Sequence, residues 1–393
     1  MKNWLPYLVA IALVALVLST ILLATSTLKT VSTHSQQLAV DATPLNKIEV
    51  KVYRGGSLVA SYEKVGDPWN WNLAALIGNL FMGRQYANPL TIYWRDGSTT
   101  TQVETEYVVI GTASYTGINP YLAIGIGSGT ASPTPYDVDL TSVVTIIDVP
   151  ATNVAVSDNG THIIAQYSVS YTASSAFTLS EVGLYWKGCS YNTNTYKYAL
   201  LARDVLSTPI SVLANDVVTI TYTIAFKYNQ PPMTKNLAAI LFDYVFGLKY
   251  YSKAISFTTM DGTSASVADY GLDSGVDSVK EYAYVYIGTG QPSYTATISQ
   301  LRGYLAKSPS YVTVSHGTNS THFWFTLTTG MGLTSSASIT EFGLVIESID
   351  IDGSNYNSAK SLLVLYFPLQ NPVNVPAGGG IRVSFTLAFR WSP

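Results

Sequence analysis

Apolar and polar residues alternate strictly along Val217–Phe226 (VVTITYTIAF). Val218, Ile220, Tyr222, Ile224 and Phe226 share one face, and Thr219, Thr221 and Thr223 share the other. Ile381–Trp391 repeats the pattern, with Ile381, Val383, Phe385, Leu387, Phe389 and Trp391 opposite Arg382, Ser384, Thr386 and Arg390. Period two over such a length predicts half-buried antiparallel strands. Ile163–Tyr171 and Ile48–Tyr53 read the same way, the latter opening the first sheet. Trp69–Gly83 departs from this period. Its Leu73, Leu76, Ile77, Leu80 and Phe81 recur at helical spacing, with Asp67 placed to cap, Pro68 at the first helical position and Gly83 as the stop. Pro231–Gly247 (PPMTKNLAAILFDYVFG) predicts a second helix.

The two halves of the chain carry the same plan. NGTHIIAQYSVSYTASSAFTLSEVGLYW from Asn159 returns as NSTHFWFTLTTGMGLTSSASITEFGLVI from Asn319, in one register (341 − 181 = 160). This pairs Asn159 with Asn319, His162 with His322, Glu181 with Glu341 and Gly183 with Gly343. Asn72-Leu73-Ala74-Ala75 returns as Asn236-Leu237-Ala238-Ala239 (236 − 72 = 164). The Asp96-Gly97 turn returns at Asp261-Gly262, and the glycines of Ile126–Gly129 return at Ile287–Gly290. Such repetition means one supersecondary plan used twice.

The expected fold is therefore mainly β: two tandem antiparallel β-sandwich units, each with one packed helix, preceded by an N-terminal hydrophobic helix. Jelly-roll and immunoglobulin-like topologies both fit the strand pattern. The expected boundaries are 1–28 for the hydrophobic helix, 29–46 for a stalk or donor-strand-like linker, 47–229 for unit 1 and 230–393 for unit 2. Gln230-Pro231-Pro232 makes a stiff joint between the units.

Leu5–Ala24 holds no charge and lies between Lys2 and Lys29. As a helix it would span roughly 30 Å, the hydrocarbon thickness of a bilayer. It reads either as a retained anchor or as a secretory signal cleaved near Ala24-Thr25-Ser26; both place the rest of the chain outside the membrane. Charged residues make up 11% of the 393, against about 25% in ordinary domains, so stability must come from cores and sheet ladders. A net charge of −3 gives no basic patch and argues against nucleic acid as a partner. A single cysteine, Cys189, excludes an intrachain disulfide.

Glu181 and Glu341, each just before Gly-Leu in an apolar run, are the strongest candidates for chemistry. No second titratable group stands near either at a telling spacing. They read as turn residues whose carboxylates accept backbone N–H bonds, with Gly183 and Gly343 completing the turns. His162, His316 and His322 lack the clustered partners of a metal site. Asp350, Asp352 and Asn355 resemble the first half of a calcium loop without its distal Glu, and Asp269, Asp273 and Asp277 form a second acidic loop; a polar surface turn is the default for both. The IGIGSG segment lacks the following helix of a dinucleotide fingerprint. No nucleophile has a nearby His, so neither an enzyme nor a cofactor is expected. Asn159 and Asn319 head the sequons Asn-Gly-Thr and Asn-Ser-Thr, glycosylation acceptors on an exported chain.

The succession of Ile124–Leu140 (IGIGSGTASPTPYDVDL), Leu179–Trp186 (LSEVGLYW), Ala199–Leu206 (ALLARDVL) and Asn215–Phe226 (NDVVTITYTIAF) resembles the repeated β-domain of tailed-virus tail-fibre and collar proteins. The composition with its N-terminal helix also resembles anchored surface-filament proteins of hyperthermophilic archaea. These resemblances imply a structural or attachment role. The expected function is a non-enzymatic surface protein, a virion component or extracellular filament subunit, assembled as a homo-oligomer and held by Leu5–Ala24 in a membrane or hydrophobic assembly core. A cell-surface adhesin or carbohydrate-binding module, with a host or neighbouring-cell ligand, is the first rival; an anchored hydrolase is the second. The polar segment Thr27–Asn46 has no counterpart before unit 2, and residues between Ser32 and Tyr53 are expected to add to the sheet of a neighbouring subunit or to make an equivalent intersubunit contact.

Overall fold

The computed structural model describes residues 33–67, 69–82, 90–101, 122–190, 195–248, 251, 253, 255–266, 283–291, 293–295, 297–349 and 360–391. Leu5–Ala24, Gly83, the acidic loop Asp269–Asp277 and the calcium-loop residues Asp350, Asp352 and Asn355 lie outside them. Among the described residues no helix is long and apolar enough to cross a membrane.

The chain is mainly β, and among the described residues the strands pair antiparallel with one exception. The first half contains β1 (Thr33–Asp41), β2 (Leu45–Arg54), β3 (Ser57–Val65), α1 (Trp71–Met82), the short pair β4 (Thr91–Tyr93) and β5 (Thr99–Thr101), then β6 (Leu122–Gly127) and β7 (Val143–Asp148). It closes with β8 (Val154–Asp158), β9 (His162–Thr172), β10 (Phe177–Ser190), β11 (Thr195–Val212) and β12 (Val217–Lys227). The second half runs α2 (Lys235–Phe246), β13 (Ser256–Thr258), β14 (Ser264–Ser266), β15 (Ala283–Gly288) and β16 (Tyr304–Lys307). After these come β17 (Thr313–Thr318), β18 (His322–Gly332), β19 (Ala337–Ile349), β20 (Lys360–Val375) and β21 (Gly380–Arg390).

Each half has two larger sheets and one two-stranded sheet, β4-β5 in unit 1 and β13-β14 in unit 2. Unit 1 has the orders β3-β2-β12-β9-β8 and β11-β10-β6-β7; unit 2 has β1-β21-β18-β17 and β20-β19-β15-β16. The duplication extends to register. Glu181 lies opposite Gly127 and Val205, and Glu341 opposite Gly288 and Pro368. Irregularities recur at matching points, between Leu179 and Glu181 and between Ile339 and Glu341.

One position breaks the symmetry. The strand beside β12 is β2, antiparallel, whereas the strand beside β21 is β1, parallel, from Thr33 opposite Gly380 to Asp41 opposite Ala388. Among the described residues unit 2 has no hairpin equivalent to β2–β3, and α2 follows β12 almost directly. The stretch 29–46, expected as a stalk or donor-strand-like linker, contributes β1 to the unit 2 sheet of its own chain and the start of β2 to unit 1.

Each helix packs on its own unit and also reaches the other. Asn72 Nδ2 donates to Leu200 O (3.0 Å) and Tyr93 O (2.9 Å), and Asn236 Nδ2 likewise to Leu363 O (3.1 Å) and Thr258 O (2.9 Å). These amides satisfy carbonyls at the starts of the helices, which explains the repeated Asn-Leu-Ala-Ala. At the start of α1 the Trp71 ring lies 5.2 Å from Phe323 and 5.9 Å from Trp391 of unit 2, and two turns on Gly78 faces the Phe325 ring. Phe242 lies 4.9 Å from Phe226 of unit 1, and Tyr167 Oη donates to Phe246 O (3.3 Å). Both units therefore share one continuous buried apolar cluster. The start of α1 also differs from expectation. Trp71 opens the helix and Asn70 Oδ1 accepts the Asn72 amide (2.8 Å), while Asp67 accepts the Val205 amide instead (2.9 Å).

The interlock predicts an unusual effect at Gly78. An added Cβ there would meet the Phe325 ring of unit 2 at 2.2 Å and Leu90 at 2.3 Å. Gly78→Ala should destabilise by about 1–3 kcal/mol from overpacking, although alanine is intrinsically the better helix former by about 1 kcal/mol. Phe325→Leu should recover part of that stability in a double-mutant cycle read by urea unfolding. A neutral or stabilising Gly78→Ala would show that α1 does not pack against unit 2.

Candidate functional site

Glu181 and Glu341 lie inside β10 and β19, not in turns, and Gly183 and Gly343 follow within the same strands. Both carboxylates are fully buried. Each occupies space left by a facing glycine: a Cβ at Gly127 would meet Glu181 Cγ at 2.7 Å, and one at Gly288 would meet Glu341 Oε1 at 2.3 Å. The glycine-rich segments are thus beds for buried acids.

Glu181 is saturated. Its Oε1 accepts the amides of Gly129 (2.9 Å) and Ser142 (2.7 Å). Its Oε2 accepts the Thr141 amide (3.2 Å), the Thr141 hydroxyl (3.1 Å) and Arg203 Nε (2.8 Å). Arg203, on β11 opposite Gly183, turns its other nitrogens to the connection between β6 and β7. Nη1 donates to Asp137 Oδ2 (2.9 Å) and Ser132 O (3.4 Å), and Nη2 to Ala131 O (2.8 Å) and Thr141 Oγ1 (3.0 Å). This pins residues 131–142, including Ser-Pro-Thr-Pro, as a strap across the outer face of the sheet. Leu140 of the strap packs with Tyr185 and Leu200, over a floor lowered by Gly183, where a Cβ would meet it at 2.9 Å.

Unit 2 keeps the geometry and changes the chemistry. Glu341 accepts the amides of Arg302 (3.1 Å) and Gly303 (2.7 Å), and Leu301 sits over Gly343 as Leu140 does over Gly183. Where Arg203 stands, opposite the second glycine, unit 2 has Tyr366, whose phenol donates to Glu341 Oε2 (2.8 Å). Burial pushes that phenol's pKa upward, and the bond to Glu341 adds to the shift, so it remains a donor. For Glu181, burial pushes the pKa up, but the bond from Arg203 and the Ser142 and Thr141 amides outweigh it, and the net shift is downward.

A second buried acid went unnoticed in the sequence. Asp204, beside Arg203 on β11, accepts the Tyr222 phenol (2.8 Å) from the facing sheet and the Asp67 amide. Burial raises its pKa to about 7. Unit 2 places Phe367 opposite Phe342 where unit 1 places Asp204 opposite Val182, and Phe385 where unit 1 has Tyr222. There the two rings pack 5.1 Å apart. Pro231, which has no N–H, stands where Asp67 donates in unit 1. Donors and acceptor disappear together, as a buried polar cluster requires. The adjacent charges of Arg203-Asp204 inside an apolar strand were the available signal.

The remaining candidates are separate from these acids. Asn159 and Asn319 head matching exposed turns: Asn159 Oδ1 accepts the amides of Thr161 (3.0 Å) and His162 (2.8 Å), and Asn319 Oδ1 those of Thr321 (2.8 Å) and His322 (2.7 Å). His162 and His322 each bond the preceding threonine hydroxyl through Nδ1 (2.8 Å in both), and His316 stacks on Phe323. Among the described residues no three His, Cys, Asp or Glu side chains are grouped to hold a metal ion. Comparisons with protein-family models, curated proteins and solved structures find no match.

Two measurements check this reading of the acids. Asp204 has a raised folded pKa, so its contribution to stability is fully present below about pH 4 and lost as pH rises through about 7. Urea midpoints of the wild type should carry this downward component between pH 4 and 8, and Asp204→Asn should lack it; identical slopes would contradict the assignment. Glu181 has the opposite sign. Its contribution is present above about pH 4.3 and lost as pH falls through its lower folded value. Glu181→Gln should cost about 1–3 kcal/mol at pH 7, because Arg203 and the strap amides lose a charged acceptor, and should flatten the acid limb of stability. A neutral substitution would mean that the carboxylate does not hold the strap.

Proposed function

We propose that this chain is a non-enzymatic structural subunit of a surface assembly, a virion surface component or an extracellular filament subunit. Its two-sheet units are β-sandwiches projecting outward, and Leu5–Ala24 holds the subunit in a membrane or hydrophobic assembly core. The observation that carries this reading is the contrast between Glu181 and Glu341. An acid or base catalyst must reach its substrate and needs a pKa tuned to the reaction. Here both acids are fully buried, and one faces a guanidinium where the other faces a phenol. Duplication has kept the cross-link between strap and strand while the electrostatics changed. That is the behaviour of a scaffold element.

Immunogold electron microscopy of the native material, with antibodies against the soluble portion, tests the proposal. Label repeating along an extracellular filament or covering a virion surface is the expected result. Label confined to the cell interior, or isolated monomers with a turnover activity that Glu181→Gln or Glu341→Gln abolishes, would overturn it.

A further inference from the structure

We infer that β1 is an exchangeable strand, and that in the assembled protein it completes the β21 sheet of a second copy of this chain. The inference rests on the proposed assembly and names the contact that makes it. Unit 1 encodes the strand beside β12 within its own β2–β3 hairpin, while among the described residues unit 2 has no such hairpin. Without β1, β21 would present a row of unpaired N–H and C=O groups along an edge, and such edges recruit strands. The slot is filled from the far end of the chain, over nine residues and in the parallel sense.

β1 is held by its backbone ladder and by an ion pair between Asp41 and Arg390 (3.5 Å). His34, Gln36 and Leu38 are half-buried, and Ser35, Gln37 and Ala39 are exposed. Leu38 packs against the shared core. A strand added through its main-chain ladder, with one apolar anchor, fits the same slot whichever copy supplies it. When identical elements are exchanged, the ladder and the anchor broken on opening re-form between the two copies. The pivot is short and well placed. Only Ala42, Thr43 and Pro44 separate β1 in the unit 2 sheet from β2 in the unit 1 sheet. Pro44 O accepts Trp69 Nε1 (2.7 Å), which fixes the unit 1 side, while Ala42 N bonds Ala388 O (2.8 Å) and Arg390 N bonds Thr43 Oγ1 (2.6 Å) on the unit 2 side. Releasing those two bonds, the Asp41–Arg390 ion pair (3.5 Å), the Leu38 contact and the β1 ladder frees an arm and leaves β2 in place. Donor and acceptor lie on different parts of the chain, so the contact is head-to-tail and propagates.

Cysteine pairing on the full chain tests this. Gln37 lies opposite Ser384 and Ser35 opposite Arg382, with both members of each pair facing outward. In a Cys189→Ser background, chains carrying only Gln37→Cys are co-assembled with chains carrying only Ser384→Cys and then oxidised; Ser35→Cys with Arg382→Cys provides an independent second pair. Circular dichroism melts matching the wild type establish that each variant is folded. A covalent dimer on a non-reducing gel from both mixtures, and a ladder of multimers from the Gln37→Cys/Ser384→Cys chain, is the expected result. Assemblies visible by electron microscopy that give no interchain dimer, with the doubly substituted chain closing only on itself, would overturn the strand exchange and leave the structural role standing. Absence of both assemblies and dimers would overturn both.

Discussion

A carboxylate taken fully out of water costs several kcal/mol unless its lone pairs are met by good donors. Two such groups, Glu181 and Glu341, sit inside strands of this molecule, and much of the surrounding architecture answers that requirement. The glycines opposite them give room, the irregular register before each sets the carboxylate toward the strap, and the strap supplies the amides. The final donor is a guanidinium in one unit and a phenol in the other. Arg203 reaches past the carboxylate to the Ala131 and Ser132 carbonyls of its strap, whereas the Tyr366 phenol ends at Glu341.

The second constraint is that neither unit is complete by itself. Each helix is seated on its own unit by an asparagine and buries its aromatic face against the other. Unit 2 also lacks the strand that β1 provides. Substituting in one unit should therefore be felt in both, because the packed interior transmits strain. Apolar and polar solutions coexist at equivalent positions: Asp204 with Tyr222 in one unit, Phe367 with Phe385 in the other. Such replacement of a whole buried polar set by apolar groups of similar shape is near neutral, whereas removal of one member is costly.

Much of this was legible in the sequence because it is periodic. Alternation along Val217–Phe226 and Ile381–Trp391 located the central strands, and helical spacing located both helices. The repeat offset identified Glu181 and Glu341 as equivalent, but the charged partner of Glu181, Arg203, lies 22 residues further on and escaped a reading of local spacing. Their placement in turns was wrong because Gly-Leu after Glu reads locally as a turn, whereas the glycine is there to seat Leu140 or Leu301. Asp67 reads locally as a cap but is drawn away by the Val205 amide, a partner distant in sequence. Neither the reach of each helix to the other unit nor the parallel placement of β1 has a local signature. Both depend on which surfaces remain uncovered once the sheets have formed.

Hydrogen exchange at the amides of Gly129, Ser142 and Gly303 tests the central claim, that the buried acids are cross-links and not reagents. Ser142 is an exposed residue whose amide points at a buried oxygen, so its protection reports the carboxylate directly. The account predicts that these amides exchange in the wild type only with global unfolding, and that Glu181→Gln brings Gly129 and Ser142 into local exchange while Gly303 stays protected. Rapid exchange at Ser142 and Gly303 in the wild type would mean that the carboxylates open to solvent and are free to act on a substrate.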